Sequence, residues 1–401
     1  MMRIGVIKEG KVPSDERVPL TPNQIKMLTE MHSADLEIQV MRSDVRRISD
    51  AEYAQCNVNV VDQVEGCDFL IGVKEVPIEQ LIPNKTYFFF SHTIKKQPYN
   101  RPLLRAVLKK NITLIDWECL RDVQGRRLIG FGRYAGIVGA YNGFRAMGIA
   151  NGRYELKMAQ KCGDRVELTQ ELSKIKLDPI KILLTGRGKV AKGSIEILEE
   201  LNIRKVGIRE YLAEQFDEPV YCQATFDHYF KKSNEDAFVD SEFMSNPELF
   251  ESNFMRFAKV TDYYIAGHFW GSGSPFLFSR EDAKQSDFNI SLVADISCDI
   301  DGPVASTLRP STIEDPFYGY DAQNESEVEF GTKGSIGVMA VDNLPCELPR
   351  DASHDFGEMF ISSVLPSILN GDQKGILKRA TIATNGQITE EYAYLRKWVS
   401  S

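Results

Sequence analysis

The sequence contains no apolar run near the ~18 residues that a membrane-spanning helix needs; residues 87–90 are typical of its longest. Histidine is scarce, at 5, and neither His-Glu-x-x-His nor Cys-x-x-Cys occurs. No metal site is therefore expected. The 7 cysteines (Cys56, Cys67, Cys119, Cys162, Cys222, Cys298 and Cys346) are odd in number and dispersed. That pattern suits reduced thiols better than a disulfide framework, and a cytoplasmic location is expected. An excess of positive charge is also lacking: 48 basic residues stand against 57 acidic ones, for a net charge of −9. Nucleic acid and anionic membrane are thus not expected as partners. The opening Met1-Met2-Arg3-Ile4-Gly5-Val6-Ile7 is broken by Lys8-Glu9, so it reads as a strand and not as a secretory signal.

What is present is a globular composition, 43% hydrophobic and 26% charged over 401 residues, enough for two to three domains. The first third alternates strands, over residues 3–7, 37–41, 69–73, 86–90 and 113–115, with helices over 21–31 and 101–110. Such alternation predicts an α/β fold with a mainly parallel sheet. After Gly132 a helix is expected over 136–147, rich in small residues (Gly136, Ala140, Gly143, Ala146) that suit close packing. Further helices are expected over 166–175 and 194–201, and strands over 181–185, 205–209, 263–266 and 291–296. Residues 216–255 are polar and aromatic without a clean period and read as an insertion. A helix over 356–369 is expected to pack back on the first block.

One motif stands in a telling context. Gly186-x-Gly188-x-x-Ala191 follows the apolar strand Lys181-Ile182-Leu183-Leu184-Thr185 and opens a helix. Gly186 permits a tight turn, Gly188 lets backbone approach a pyrophosphate, and Ala191 allows helix and strand to close up. The helix N-terminus offers free N–H groups to the phosphates. Glu210, 22 residues after Gly188, is expected to end the next strand and to bond a ribose 2′-hydroxyl, favouring NAD. Arg209, Lys189 and Lys192 could receive a 2′-phosphate instead, so NADP stays open beside a slightly favoured NAD. An ordinary glycine-rich loop is the competing reading.

Ligands of open α/β sheets bind beyond the carboxyl ends of strands. Lys74, His92 and Glu118 occupy such ends, and Lys74 and His92 could share acid–base work. Arg17 precedes a helix and could clamp a carboxylate with two bonds. Each of these charges, taken alone, reads more readily as a surface charge capping a strand.

Together the motifs resemble the alanine dehydrogenase and transhydrogenase superfamily, most closely its lysine-forming saccharopine dehydrogenase and lysine–ketoglutarate reductase branch. The superfamily part comprises Ile4-Gly5-Val6-Ile7-Lys8-Glu9, Glu16-Arg17-Val18-Pro19-Leu20-Thr21-Pro22, Gly72-Val73-Lys74-Glu75, the glycine turn and Asp295-Ile296-Ser297. The branch part comprises Phe89-Phe90-Ser91-His92-Thr93-Ile94-Lys95-Lys96-Gln97, Leu114-Ile115-Asp116-Trp117-Glu118, Gly125-Arg126-Arg127 and Phe131-Gly132-Arg133-Tyr134-Ala135-Gly136. Asp342-Asn343-Leu344-Pro345 and the following Leu348-Pro349 belong with it. The resemblance implies two Rossmann-like doubly wound parallel-sheet domains around a cleft. Residues 1–132 with 352–401 would bind substrate, and 133–351, with the insertion, would bind the dinucleotide. It implies an NAD(P)-dependent oxidoreductase interconverting saccharopine with L-lysine and 2-oxoglutarate, and leaves a homo-oligomer open. By matching position Lys74 and His92 would be catalytic. Arg17, Glu75, Lys95, Glu118 and Arg127 would bind substrate or tune charge. Gly186, Gly188, Ala191, Arg209, Glu210, Asp299, Asp342, Asn343 and Leu344 would contact the cofactor. The insertion suits the lysine–ketoglutarate reductase form better than the compact fungal one.

Two alternatives remain. Arg17, Lys74, His92 and Asp299 also match an alanine dehydrogenase, against which the charge of Lys95-Lys96 argues. The other is a catalytically silent nucleotide-binding homologue, since fold alone does not establish function.

Overall fold

The computed structural model describes every residue except Glu235, Ser272 and Ser401. The chain divides into two compact units, Met1–Phe131 with Pro349–Ser401, and Gly132–Leu348.

In the first unit six strands run parallel: β1 (Met2–Val6), β2 (Leu36–Met41), β3 (Asn59–Val61), β4 (Phe69–Ile71), β5 (Thr86–Phe89) and β6 (Thr113–Asp116). Their spatial order is β3-β2-β1-β4-β5-β6, the doubly wound order of a dinucleotide fold. The hairpin of Thr381–Thr384 and Gln387–Ile388 extends the sheet antiparallel beyond β6. Helix α1 (Pro22–Met31) starts where Thr21 N donates to the Gln24 side chain at 3.0 Å, with Pro22 in its first turn. Helices α2 (Asp50–Gln55) and α3 (Arg101–Lys109) fill two of the other crossovers. Trp117 is the pivot of the core. Its ring packs against Phe88 of β5 at 5.0 Å and edge-on against Phe356 at 5.3 Å and Phe360 at 5.9 Å. Phe356 belongs to the helix Pro349–Met359, which continues through a π-turn over Phe360–Val364. Burying each such ring stabilises the fold by roughly 1.5–3 kcal/mol, so the returning segment is part of this core.

The second unit opens with helix α4 (Gly132–Asn151), followed by α5 (Arg165–Leu172). Its sheet contains β7 (Lys181–Thr185), β8 (Arg204–Lys205), β9 (Val220–Ala224), β12 (Tyr263–Ala266), β13 (Leu292–Asp295), β14 (Phe317–Asp321), β15 (Ser326–Val328) and β16 (Ile336–Met339). The order is β15-β14-β16-β13-β12-β7-β9-β8; β16 through β8 pair in parallel, and β14 runs antiparallel to both its neighbours, β16 and β15. A separate antiparallel pair, β10 (Phe230–Lys232) and β11 (Phe250–Ser252), lies within the aromatic segment. Helix α6 (Lys189–Glu200) follows the glycine turn, and α7 (Ile208–Ala213) links β8 to β9. The small residues of α4 act as expected. A Cβ on Gly136 would lie 1.9 Å from the Val190 carbonyl oxygen, and one on Gly193 1.9 Å from that of Arg133. The two helices therefore touch backbone to backbone.

Three expectations are corrected. The helix expected from 194 begins at Lys189, because Gly188 is extended and serves as its cap. The strand expected over 205–209 shrinks to Arg204–Lys205, and 208–213 are helical. The 216–255 segment is not all insertion: Val220–Ala224 is β9, the strand hydrogen-bonded directly to β7. Its pattern was masked because four of its five residues are buried without alternation.

Candidate functional site

The first unit gathers its charges on the loops leaving β1, β4, β5 and β6, all at the carboxyl edge of parallel strands. Glu9, just past β1, accepts the backbone N–H groups of Val73 at 2.6 Å and Lys74 at 2.9 Å, which fixes the loop after β4. Burial, with the Asp15 charge adding to it, pushes the Glu9 carboxyl up to about 8. Asp15 and Arg17 form a buried pair, with Arg17 Nε 2.9 Å from Oδ1 and an Nη 2.5 Å from Oδ2. Burial alone would raise Asp15, but Arg17 outweighs it and holds the group at about 2. The Arg17 guanidinium lies 4.1 Å over the Phe131 ring. Val18 N donates to Ser353 Oγ at 2.8 Å, tying this loop to the returning helix.

Glu75 is the hub of the site. Its Oε1 lies 2.6 Å from His92 Nδ1, and Lys11 Nζ donates to its Oε2 at 2.7 Å. Burial works to raise this carboxyl, yet those two partners prevail and hold it at about 2. His92 adopts φ +52°, left-handed, with its ring stacked on Phe90 at 6.3 Å. Lys74 is anchored through its backbone on Glu9, and its charge reaches Asp15. At the end of β6, Glu118 faces two cations, Lys95 Nζ at 3.9 Å and Arg127 at 3.7 Å. Asp116 organises this corner by accepting the N–H groups of Ser91 at 2.9 Å and Glu118 at 2.8 Å.

The structure thus groups Glu75 with His92, and Glu118 with Lys95 and Arg127. One expectation is revised: the two-bond edge of Arg17 is taken by Asp15, and the residue is 3% exposed. A two-bond clamp on a substrate through that edge is not available. Lys11, Glu9 and Asp15 are components that sequence reasoning missed. The signal was the charge run Lys8-Glu9-Gly10-Lys11 directly after β1.

In the second unit the turn after β7 is built as its glycines require. Gly186 has φ +103°, and a Cβ there would lie 2.5 Å from the Gly267 carbonyl oxygen. At Gly188 an added Cβ would meet nothing within 4 Å, so the face above the α6 N-terminus is open. That is the space a pyrophosphate needs, and Ala191 is fully buried beneath it. His268, after β12, supports the floor. Its Nδ1 lies 2.9 Å from Thr185 Oγ1, and burial holds the ring at about 4, neutral. Asp295, at the end of β13, accepts Ser297 N at 3.1 Å and Thr307 Oγ1 at 2.6 Å. Asp299 follows β13, and Asp342, Asn343 and Leu344 follow β16, again at carboxyl ends.

Glu210 is a correction. It lies in α7, and its carboxylate pairs with Arg204 at 3.0 Å. Arg204 is in register with Val220, which pairs with Lys181 at the start of β7. The glycine turn follows Thr185, four residues or ~13 Å along the strand. Glu210 is thus bonded at the wrong end of the sheet to reach a ribose on that turn, and Arg209 shares its helix. The strand beside β7 is β9, whose Ala224 is in register with Thr185. The acid just past it is Asp227, which accepts from Thr225 Oγ1 at 2.5 Å.

A strand, a glycine turn and a helix N-terminus on a doubly wound sheet define a Rossmann-type nucleotide-binding class of fold. Comparison with known proteins narrows the class. Residues 5–138 match the alanine dehydrogenase/PNT N-terminal domain. The chain is 29% identical to the mitochondrial alpha-aminoadipic semialdehyde synthase of Mus musculus, over 96% of this chain and 46% of that protein. It therefore spans about half the length of this relative. It is 24% identical to the saccharopine dehydrogenase [NAD(+), L-lysine-forming] of Emericella nidulans, covering 89% of each. In structure it is similar to an L-alanine dehydrogenase, with a TM-score of 0.64 at 15% identity, covering 100% of this chain and 99% of that one. These similarities support the alanine dehydrogenase/transhydrogenase superfamily, with a likeness to saccharopine dehydrogenase along most of the chain.

Proposed function

We propose that the chain is an NAD(P)-dependent oxidoreductase of amino acid metabolism. In this reading it interconverts saccharopine and water with L-lysine and 2-oxoglutarate, reversibly and by reductive amination. The observation that carries the reading is the pairing of two accessible cations, Lys95 and Arg127, with Glu118. Their side chains are 51% and 39% exposed, against 3% for the whole of Arg17. A dicarboxylate keto acid needs such cations, whereas pyruvate, with one carboxylate, has less use for them.

The residues of this chain divide the work. The nicotinamide, when bound, supplies or accepts hydride; the protein orients it and manages protons. The lysine amine must lose a proton before it attacks the keto carbon, and the carbinolamine must gain one to expel water. His92 and Lys74 are the proposed proton carriers, with Glu75 orienting the imidazole through Nδ1. Lys11 neutralises the other Glu75 oxygen, so that carboxylate stays ionised. Arg17 is read as holding Asp15 ionised beside Lys74. Gly186, Gly188 and Ala191 would seat the dinucleotide, with Asp299, Asp342, Asn343 and Leu344 on neighbouring strand ends.

The test is NAD(P)H oxidation by purified protein with lysine and 2-oxoglutarate, run beside pyruvate and ammonia. Lysine-dependent turnover supports the reading. Turnover only with pyruvate and ammonia replaces it with an alanine dehydrogenase. Nucleotide binding without turnover of either pair points to a silent homologue.

A further inference from the structure

The glycine turn and the aromatic segment meet at one ion pair. Arg187, between Gly186 and Gly188, is hydrogen-bonded through its guanidinium to the carboxylate of Asp240. Asp240 opens the helix Asp240–Ser245, inside the segment that departs from a plain dinucleotide fold. Asp227, just past β9, adds a weaker electrostatic pull on the same guanidinium. The pair is exposed, at 62% for Arg187 and 48% for Asp240. Exposed pairs contribute little to folding stability. The segment has its own core besides: Phe230, Phe243 and Phe250 are 2%, 3% and 4% exposed, and Phe230 stacks on Phe243 at 4.9 Å. The ion pair is not what keeps the segment folded.

Its location suggests another role. A dinucleotide on this turn sets its adenosine ribose at the end of the strand beside β7, which here is β9. The ribose 2′ position carries a hydroxyl in NAD and a phosphate in NADP. An acid suits the hydroxyl and an arginine suits the phosphate. Both residue types are present, as Asp227 and Arg187, but the arginine already has an anion on it.

Resting on the dinucleotide reading above, we propose that Asp240 sets the cofactor preference. Its carboxylate occupies the Arg187 guanidinium as an internal substitute for a 2′-phosphate and leaves Asp227 to hold the 2′-hydroxyl. The Arg187 guanidinium thus faces two carboxylates, Asp240 through a hydrogen bond and Asp227 at longer range. A 2′-phosphate meets repulsion there unless it displaces Asp240. The protein therefore takes NAD in preference to NADP, and the discriminating residue lies 13 residues beyond Asp227, the acid that follows β9.

The experiment is calorimetric titration of the full chain with NADH and with NADPH, which needs no turnover. The wild type should bind NADH more tightly. Asp240→Asn should tighten NADPH relative to NADH by about tenfold. Adding Arg187→Gln to that variant should remove the gain, since the arginine is what the phosphate would bind. An unchanged NADPH-to-NADH ratio in Asp240→Asn, or the same gain without Arg187, overturns the proposal. A wild type that prefers NADPH overturns it too and leaves the dinucleotide reading standing. A wild type that binds neither nucleotide overturns both.

Discussion

The Glu75 carboxylate lies 2.6 Å from Nδ1 of His92 and so fixes the orientation of the imidazole. The same carboxylate takes Lys11 on its second oxygen, so each oxygen has a cationic or imidazole partner. An orienting acid of this kind holds the imidazole in one tautomer and position. Glu75→Gln should reduce kcat by about 10–100-fold with KM and melting temperature little changed. A wild-type kcat, or a loss of melting temperature that accounts for the lost activity, would make Glu75 a purely structural residue.

Lys74 and His92 sit on the loops leaving β4 and β5, which are adjacent parallel strands. Lys74→Met and His92→Gln should each lower kcat by about 10²–10⁴-fold, with nucleotide affinity unchanged by titration. Wild-type kcat in either variant removes that residue from the proton transfers.

Arg127 and Lys95 are held only loosely by Glu118, at 3.7 and 3.9 Å. Arg127→Ala should therefore raise KM for 2-oxoglutarate far more than KM for lysine. Steady-state kinetics with each substrate varied in turn would show this. Equal changes in both would place Arg127 elsewhere in the mechanism.

Glu9 gives a pH-dependent stability. Its ordinary pKa is 4.5 and its folded value about 8, so folding favours the protonated form. That stabilisation is complete below pH 4.5 and is lost as pH rises through 8. Glu9→Gln cannot lose it. The melting temperature of the wild type minus that of Glu9→Gln should fall steadily across that window. A constant difference would show that Glu9 is ionised in the folded protein throughout.

The two turn glycines should behave differently. Gly186→Ala forces a side chain onto φ +103° and into the Gly267 carbonyl oxygen, a strain of roughly 1–3 kcal/mol. Its melting temperature should drop. Gly188→Ala meets nothing in the protein, so its stability should match wild type while dinucleotide affinity falls. Loss of stability in both would mean that Gly188 is not an open face.

Legibility from sequence depended on how locally each feature is encoded. The strand Lys181–Thr185 and the turn after it lie within eight or so consecutive residues, and every residue of that strand is buried. Glu210 was misplaced because residue spacing was used in place of strand order. After α6, a two-residue strand and a six-residue helix come before β9, the turn strand's true neighbour. The charges Lys74, His92 and Glu118 could be read because each follows an apolar strand. The pairings that give them meaning could not. Lys11 with Glu75, and Glu9 with the Val73 and Lys74 backbones, join residues more than 60 apart, with no local periodicity to mark them.

The returning hairpin on β6 bears on how the protein is made. β6 ends at Asp116, and the strand that covers it, Thr381–Thr384, is synthesised roughly 265 residues later. At about 5–20 residues per second, that is an interval on the order of 10–50 s. Through that time the β6 edge of the six-stranded parallel sheet stays uncovered, and Trp117 lacks Phe356 and Phe360. A bare edge of this kind invites pairing with another nascent chain. The yield of active protein from a cell should accordingly depend on translation speed and on chaperones that shield strand edges, more than the stability of the finished fold would suggest.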